Sequence, residues 1–346
     1  MPSAQVQIID LPEPLFARTR QVEYSMRKYL RFLYYGEVFR YLKQKIDDAM
    51  ETALGPVVVY TTDEGVWTEY TKHILQSYES RKPVLVNVQH GLHFLESPSV
   101  LSVAIRSILN QICCSTVGFP IYGFGLGGSR CDYYLVYGHN ERRFIESKGL
   151  KAFVASRLIK ARFMAKVQQI PKMSRNERIA LFALQPISKE AGFSRTESDF
   201  YRVLLPVAAS LKEMYGFTVF YRPHPGMDLK VTRGRLERAG LLQYGEIQDY
   251  AKDVTLALVE SDILFSHSST VLLEALLAGK ISVQLLEFFD SKRIHLPIQY
   301  LCLEDNDHQL HLANILNCSA DVLPADQGDD IINWSNFLSS NLGFSI

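Results

Sequence analysis

The stretch "DILFSHSSTVLLEALLAGKISVQLL", residues 262–286, holds a complete strand, helix and strand pattern. A short apolar run leads into polar residues, an apolar pattern of helical period covers residues 271–278, and "ISVQLL" is apolar again. Gly279 stands where helices commonly end, because glycine accepts the left-handed backbone conformation found there. Strands that alternate with helices predict a parallel sheet, since a parallel connection needs a crossover segment.

The same alternation runs through both halves of the chain. In the first half it predicts strands at residues 57–62, 83–88 and 132–138 and helices at residues 24–50, 66–79 and 140–148. In the second half it predicts further strands at residues 179–186 and 217–225 and a helix at residues 199–215. The fold class is therefore α/β, and we expect two Rossmann-like domains that face each other across a ligand cleft.

Length and composition agree with two domains. The chain has 346 residues, of which 47% are hydrophobic and 21% charged. This composition excludes a disordered chain, and this length exceeds that of a domain built on a single hydrophobic core. We expect an N-terminal acceptor-side domain at residues 1–150, a basic linker at residues 151–178 and a C-terminal nucleotide-donor domain at residues 179–346. Lys and Arg together number 37, as do Asp and Glu, so no overall charge favours a nucleic-acid partner.

Other sequence features bear on location. The five cysteines form no CxxC pair, and the first residues lack the pattern of a signal peptide, so we expect a cytoplasmic protein. Residues 100–128 are apolar but interrupted by Arg106 and Asn110, which predicts a buried helix followed by a loop. The cations of residues 151–178 predict an interdomain helix with a solvated basic face, or peripheral contact with an anionic inner membrane.

Polar residues follow four of the predicted strands. They are residues 63–65 (Asp-Glu-Gly), 89–91 (Gln-His-Gly), 224–225 (His-Pro) and 268–270 (Ser-Ser-Thr). Each group alone is typical of a turn or a helix cap. Because the carboxyl ends of parallel strands meet at one sheet edge, the four groups together predict a functional site.

Two of these groups suit a phosphate. Ser268, Ser269 and Thr270 precede a predicted helix, where hydroxyls and unpaired backbone N–H groups bind anions or simply cap the helix. Glu274, one turn further on, suits either the surface or the hydroxyls of a ribose. No glycine-rich P-loop motif accompanies them.

His224 is the second phosphate candidate. It lies between Pro223 and Pro225, and proline restricts both its own backbone and that of the preceding residue. A fixed imidazole is a directional donor toward a departing phosphate, and Arg222 falls on the same side of the strand. A structural histidine is the other interpretation.

The ordered motifs "DEG" at residues 63–65, "HP" at 224–225 and "SS" at 268–269 resemble those of bacterial sialyltransferases and polysialyltransferases of the two-domain GT-B fold. Kdo transferases and CDP-glycerol polyol-phosphate transferases resemble the chain in the second and third motifs. The resemblance covers residues 55–286, and each motif has only two or three residues.

The resemblance implies roles for individual residues. Asp63 or Glu64 is expected to be the general base, His224 to contact the CMP phosphate, and Ser268 and Ser269 to hold that phosphate from the other side. A carboxylate in a cleft is suited to remove the proton that an acceptor hydroxyl loses as a glycosidic bond forms.

His90 is a competing base. The Gln-His-Gly group resembles the corresponding segment of the polyol-phosphate enzymes, in which the histidine has that role. The choice among Asp63, Glu64 and His90 therefore stays open.

We accordingly expect a metal-independent glycosyltransferase that moves an ulosonic acid, of sialic acid or Kdo type, from a CMP-activated donor to a glycan in surface polysaccharide synthesis. The donor is a substrate, and no cofactor or metal is expected. The alternatives are a CDP-polyol phosphotransferase, a non-catalytic nucleotide-sugar-binding assembly protein, and a UDP-sugar epimerase of the same fold, which needs no acceptor glycan.

Overall fold

The computed structural model describes residues 28–61, 66–81, 83–89, 100–124, 126–171, 176–185, 197–248, 253–267, 269–286, 298–302 and 308–317. They divide into two compact units, residues 28–159 and residues 160–317. Each unit has its own parallel sheet, so the predicted α/β class with two Rossmann-like domains is confirmed.

The first unit contains nine α-helices and β-strands within its described residues. They are α1 (Lys28–Thr52), β1 (Val58–Thr61), α2 (Val66–Gln76), β2 (Val84–Val88), α3 (Val100–Val117), β3 (Tyr133–Val136), α4 (His139–Glu146), β4 (Lys151–Val154) and α5 (Ser156–Ile159). The strand order is β1-β2-β3-β4, and every pair is parallel. The carboxyl ends of these strands therefore lie at one edge of the sheet.

Aromatic side chains hold the helices of the first unit against its sheet. Phe39 of α1 meets Tyr70 of α2 edge-on at a centroid distance of 5.3 Å, and it stacks on Phe119 at the same distance. Such pairs stabilise a core beyond the area that they bury. Tyr70 of α2 and Tyr134 of β3 are almost fully buried in the same cluster, so α1 and α2 pack on one face of the sheet.

The second unit begins with a helix and continues as a regular α/β alternation. Its described elements are α6 (Ala161–Gln169), β5 (Arg178–Ala183), α7 (Glu197–Glu213), β6 (Phe217–Arg222), α8 (Leu229–Arg238), β7 (Gly245–Ile247), α9 (Val254–Glu260), β8 (Ile263–Ser266), α10 (Val271–Leu277), β9 (Ile281–Leu286), β10 (Gln299–Cys302) and α11 (His308–Asn317). All pairs of its sheet are parallel, in the order β10-β9-β8-β5-β6-β7.

This strand order places β5, the first strand of the second sheet, at its centre. The chain adds β6 and β7 on one side of β5 and then β8, β9 and β10 on the other, so its direction of growth reverses between β5 and β8. Phe182 of β5 stacks on Phe265 of β8 at a centroid distance of 4.8 Å, and both side chains are fully buried. Parallel strands covered on both faces are mainly apolar, as β5 and β8 are.

The residues of the predicted basic linker take part in both units. Lys151–Val154 form β4, where the Lys151 ammonium lies 5.6 Å from the ring centroid of Tyr133. In α6, the Lys166 ammonium contacts the Asp253 carboxylate at 2.9 Å. Asp253 also accepts the Thr255 N–H at the start of α9, and these bonds lower the pKa of its carboxyl to about 2.

The apolar stretch at residues 100–128 contains a helix, as the sequence predicts, but the helix is not buried. Residues 100–117 form α3, and Leu101 and Ile108 are 71% and 57% exposed. The prediction of burial was wrong because the apolar residues of α3 lie on its outward face as well as its inward face. Among the described residues, none of the helices combines the length and the apolar character needed to cross a bilayer.

Candidate functional site at the carboxyl edge of the second sheet

The site lies where the second sheet reverses its direction of growth. Ala183, the last residue of β5, is in register with Arg222 of β6 on one side and with Ser266 of β8 on the other. The Ser266 hydroxyl donates to the Ala183 carbonyl at 2.9 Å, and the Leu184 N–H donates to the Arg222 carbonyl at 2.8 Å. In open α/β sheets, ligands bind outside the carboxyl ends of the strands at such a reversal.

Arg222 brings positive charge to this edge. Its guanidinium is half-buried and donates from Nη1 to the Gln248 side-chain oxygen at 2.9 Å. Gln248 follows β7 and is itself fixed by donating its N–H to the Tyr221 carbonyl. A guanidinium offers five N–H donors in a planar array. The bond to Gln248 holds this group at the sheet edge.

His224 heads a tight turn after β6. Its Nδ1 accepts the Gly226 N–H at 3.0 Å, and its carbonyl accepts the Met227 N–H at 2.8 Å. Since Nδ1 is an acceptor, Nε2 carries the proton of the neutral ring. The side chain is exposed at this edge of the sheet.

His267 is the buried histidine of this edge. It follows β8 directly, is 8% exposed, and burial lowers the pKa of its imidazole to about 4. The ring is therefore neutral near pH 7, where it exchanges hydrogen bonds without adding charge. A neutral ring at the reversal point suits recognition of a polar ligand.

The predicted phosphate seat lies at the start of α10. The Ser269 hydroxyl accepts the Val271 N–H at 3.4 Å, Thr270 precedes the helix, and both residues are half-buried. Ser268 lies outside the described residues. The roles assigned to these three residues stay predictions.

Glu274 has a partner that its sequence position does not reveal. Its carboxylate accepts the Lys160 ammonium at 2.6 Å, and the two side chains are 14% and 15% exposed. An ionised carboxylate has room for several hydrogen bonds, so this contact leaves acceptor capacity for ribose hydroxyls. The ion pair joins α10 to the residue that precedes α6.

The first unit shows a second polar edge. β1 and β2 are neighbours, with Thr61 in register with Asn87, and the predicted bases Asp63, Glu64 and His90 follow these strands but lie outside the described residues. Gln89, fully buried after β2, accepts the Tyr137 N–H at 2.9 Å.

Glu141 is a buried acid at the same end of the first sheet. Its side chain is 1% exposed in the first turn of α4, and burial raises the pKa of its carboxyl, while its own N–H and the Gln89 side chain oppose that rise. Perturbed carboxyls at a sheet edge are candidates for acid and base chemistry.

Lys160, Glu141 and His267 were not among the residues predicted to form the site. Lys160 and Glu274 are 114 residues apart in the sequence, so no local sequence pattern predicts their contact. A glutamate three residues after Gly138 at a helix start is the only signal that Glu141 gives, and it is shared by ordinary capping residues. Among the described residues, no three His, Cys, Asp or Glu side chains group as metal ligands do.

The chain is similar to solved structures of nucleotide-sugar proteins. A putative UDP-N-acetylglucosamine 2-epimerase from Listeria monocytogenes shares 13% identity at a TM-score of 0.55, over 89% of this chain and 80% of that one. MnaA of S. aureus in complex with UDP shares 13% identity at 0.54, over 89% and 79%. The UDP-GlcNAc 2-epimerase of Methanocaldococcus jannaschii shares 11% at 0.50, over 85% and 77%. The sequence matches no protein-family model and no curated protein.

These comparisons support the GT-B-type fold and correct the predicted activity. The similar structures are UDP-sugar proteins, so the resemblance to CMP-dependent sialyltransferases and Kdo transferases is reduced to a distant relation in fold. The predictions of a glycosyltransferase, of a CMP-ulosonic acid donor and of the CDP-polyol alternative were wrong. The physical reason is that "DEG", "HP" and "SS" are also common turn and cap sequences, which carry no information on the nucleotide.

Proposed function

We propose that the second unit binds the nucleotide of a UDP-sugar at the carboxyl ends of β5, β6 and β8. The chain then converts a UDP-N-acetylhexosamine without an acceptor glycan, as an epimerase or hydrolase. The strand reversal beside Ala183 carries the proposal, because Arg222 and Ser266 flank this residue in register and His267 follows. The nucleotide-sugar proteins of similar fold point to UDP as the nucleotide.

In the proposed complex, different side chains bind different parts of the nucleotide. Arg222 supplies positive charge for the diphosphate, and the Nε2–H of His224 adds a donor beside it. Ser269 and Thr270 add hydroxyl and backbone donors. Glu274, held by Lys160, accepts from the ribose hydroxyls.

Catalysis without an acceptor needs a group that moves a proton on the sugar. The candidates for this group are Asp63, Glu64, His90 and the buried Glu141. The raised pKa of Glu141 is the supporting observation for that residue, since a carboxyl with a pKa nearer neutrality exchanges protons more effectively near pH 7.

Binding and turnover test the proposal together. Calorimetry with UDP, CDP, UMP and CMP separates the effect of the base from that of the second phosphate. We expect UDP to bind best. Proton NMR of UDP-GlcNAc incubated with the protein should show the anomeric signal of the C2 epimer or the release of UDP. Tighter binding of CDP or CMP, or UDP-GlcNAc that binds and stays unchanged, would overturn the proposal.

Arg222→Ala is the sharpest variant for the nucleotide seat. Loss of a charged hydrogen-bond donor costs about 1.5–3 kcal/mol, so we expect UDP affinity to fall roughly tenfold to a hundredfold. Arg238→Ala removes an arginine whose Nε donates within α8 to the Gly234 carbonyl, and it should leave affinity unchanged. Equal affinities of the two variants would move the diphosphate elsewhere.

The proposed function needs no lipid surface. Lys160 and Lys166 of the basic segment bind carboxylates of the second unit, and Lys151 lies over an aromatic ring of the first. These contacts use cations that a membrane-binding face would present to anionic lipid.

A further inference from the structure

A pocket opens at the amino end of the first sheet, away from the end at which the predicted bases follow β1 and β2. The last two turns of α2, the start of β2 and the residues that precede β3 form its wall. Its volume is about 260 Å³, which exceeds the space of a single water molecule many times. Pockets for drug-sized ligands have volumes of about 300–1,000 Å³, so this one suits a smaller molecule.

Arg130 lines the pocket and has a strained backbone. Its φ is +50°, and among the described residues other than glycine it is the one with a positive φ. The Cβ atom of an ordinary residue disfavours this conformation. Strain of this kind persists only where neighbouring contacts impose it, and it is concentrated at functional sites.

Hydrogen bonds hold the residues on both sides of Arg130. The Lys72 ammonium donates to the Ser129 carbonyl at 2.7 Å, and the Cys131 N–H donates to the Tyr134 hydroxyl at 3.0 Å. Ser129 and Cys131 are both buried. The position of the Arg130 backbone is therefore fixed before any ligand binds.

Two cations at the pocket have donors to spare. Among the described residues, none forms a hydrogen bond or ion pair with the Arg130 guanidinium, which is exposed. The Lys72 ammonium uses one of its three donors on the Ser129 carbonyl. A guanidinium binds phosphate oxygens in pairs, and a phosphate monoester with a charge of about −1.5 to −2 near pH 7 matches two cations.

The acids near these cations leave the lining positive. Asp132 is the one acid among the lining residues, and its Oδ2 accepts the Leu85 N–H at 2.8 Å. Glu69 precedes Lys72 by one turn of α2, and burial raises the pKa of its carboxyl, although the Ser129 hydroxyl and the Lys72 ammonium oppose that rise. Burial thus favours the uncharged form of Glu69.

We propose that this pocket binds a small hydroxylated phosphate monoester. Lys72 and Arg130 bind its phosphate, and the Gln76 amide and the second carboxylate oxygen of Asp132 bind its hydroxyls. The site is separate from the proposed nucleotide seat, whose residues belong to the second unit. The ligand needs the Arg130 guanidinium, which explains why a strained position holds arginine where glycine would be relaxed.

Calorimetry of the full chain with four probes tests the chemistry of the ligand. We expect glucose 6-phosphate to bind most tightly, inorganic phosphate and glucuronate more weakly, and glucose without measurable heat at millimolar concentration. Glucuronate has a carboxylate where glucose 6-phosphate has its phosphate, so it tests the preference for a dianion. The proposal fails if glucose 6-phosphate does not bind at millimolar concentration, or if glucuronate binds equally well.

Substitution of Arg130 separates its side chain from its backbone. Arg130→Gln and Arg130→Gly should each weaken glucose 6-phosphate binding at least about tenfold, because each removes a charged donor. Arg130→Gly should also raise the melting temperature, because glycine adopts a φ of +50° without strain. Arg143→Gln is the control: Arg143 is exposed on α4, donates to the Asn140 side chain at 2.7 Å, and should not affect binding.

Unchanged affinity in both Arg130 variants would overturn the proposal, and a lower melting temperature of Arg130→Gly would contradict the strain on which it rests. Phosphate bound at the nucleotide seat is distinguished by Arg222→Ala, which should leave glucose 6-phosphate binding intact. Hydrogen exchange adds a local measurement, since the ligand should slow exchange of the hydrogen-bonded N–H groups of Leu85 and Asp132. Binding that is lost in Arg222→Ala and kept in Arg130→Gln would place the phosphate in the second unit and overturn the proposal.

Discussion

At the scale of single residues, the environment of a side chain decides its chemistry more than its type does. His224 and His267 both follow strands of the second sheet, yet one is exposed in a turn and the other is 8% exposed. His224 keeps an acceptor bond from the Gly226 N–H, which fixes its tautomer. His267 loses its ability to hold a charge near neutral pH, because burial lowers the pKa of its ring to about 4.

The lowered pKa of His267 predicts a pH-dependent loss of stability. The unfolded ring takes up a proton near pH 6.5, whereas the folded ring does so only near pH 4. The stability that the neutral ring contributes is therefore present above pH 6.5 and is lost as the pH falls to about 4, by up to about 3 kcal/mol. Urea unfolding of the wild type and of His267→Gln between pH 7.5 and 4.5 should show a weaker pH dependence in the variant. Parallel curves would contradict this.

At the scale of helices and strands, the sequence predicts those elements whose pattern is long and apolar. The strand "ISVQLL" was predicted at residues 281–286 and is found as Ile281–Leu286, and Gly279 after α10 has a φ of +69°. The short strands β4, β7 and β10 were not predicted. β4 stands at the start of a run of cations, and β7 has three residues, so neither gives a periodic signal.

The candidate site could likewise be predicted only where a local sequence pattern indicates it. The polar residues at the ends of strands drew attention to Arg222 and His224, because parallel strands share one carboxyl edge. Their role in a site stays a prediction. The Lys160–Glu274 pair and the burial of Glu141 depend on distant parts of the chain, so a local pattern could not report them. The nucleotide was misassigned because short turn-forming motifs do not encode a base.

Replacement of glycine by alanine is expected to have opposite effects on stability at Gly245 of β7 and at Gly234 of α8. A methyl group on Gly245 would lie 2.5 Å from the Val219 carbonyl oxygen and 2.9 Å from Tyr221 Cε2. We expect Gly245→Ala to lower the free energy of unfolding by about 1–3 kcal/mol. A methyl group on Gly234, inside α8, meets no atom within 4 Å, so Gly234→Ala should raise it by about 0.5–1 kcal/mol. Chemical denaturation measures the free energy of unfolding of both variants. An unchanged value for Gly245→Ala would contradict the prediction, because it would mean that β7 shifts to accommodate the methyl group.

At the scale of the whole molecule, the chain builds two separate cores rather than one. Each sheet has its own cluster of buried aliphatic and aromatic residues, with Tyr70 and Tyr134 in the first unit and Phe182 and Phe265 in the second. Two cores allow a ligand to stabilise one unit more than the other, since binding stabilises the structure that forms the site.

Hydrogen exchange with added UDP should therefore protect the two units unequally. We expect slower exchange at the ends of β5, β6 and β8, at Leu184, Met227 and Leu272, whose N–H groups are hydrogen-bonded there. The N–H groups of Gln89 and Ala155 in the first unit provide the comparison. Mass spectrometry of peptides from both units measures the effect, and protection confined to the first unit would contradict the proposed nucleotide seat.

The central position of β5 also has a consequence for synthesis on the ribosome. β5 leaves the ribosome before every other strand of its sheet, but Ala183 and Ser266, at the ends of β5 and β8, are separated by 83 residues. At translation rates of about 5–20 residues per second, one edge of β5 lacks its final neighbour for roughly 4 to 17 seconds. During that interval the unpaired edge of a mainly apolar strand is open to other nascent chains, so a chaperone that covers β5 would protect the second unit while β8 is still being made.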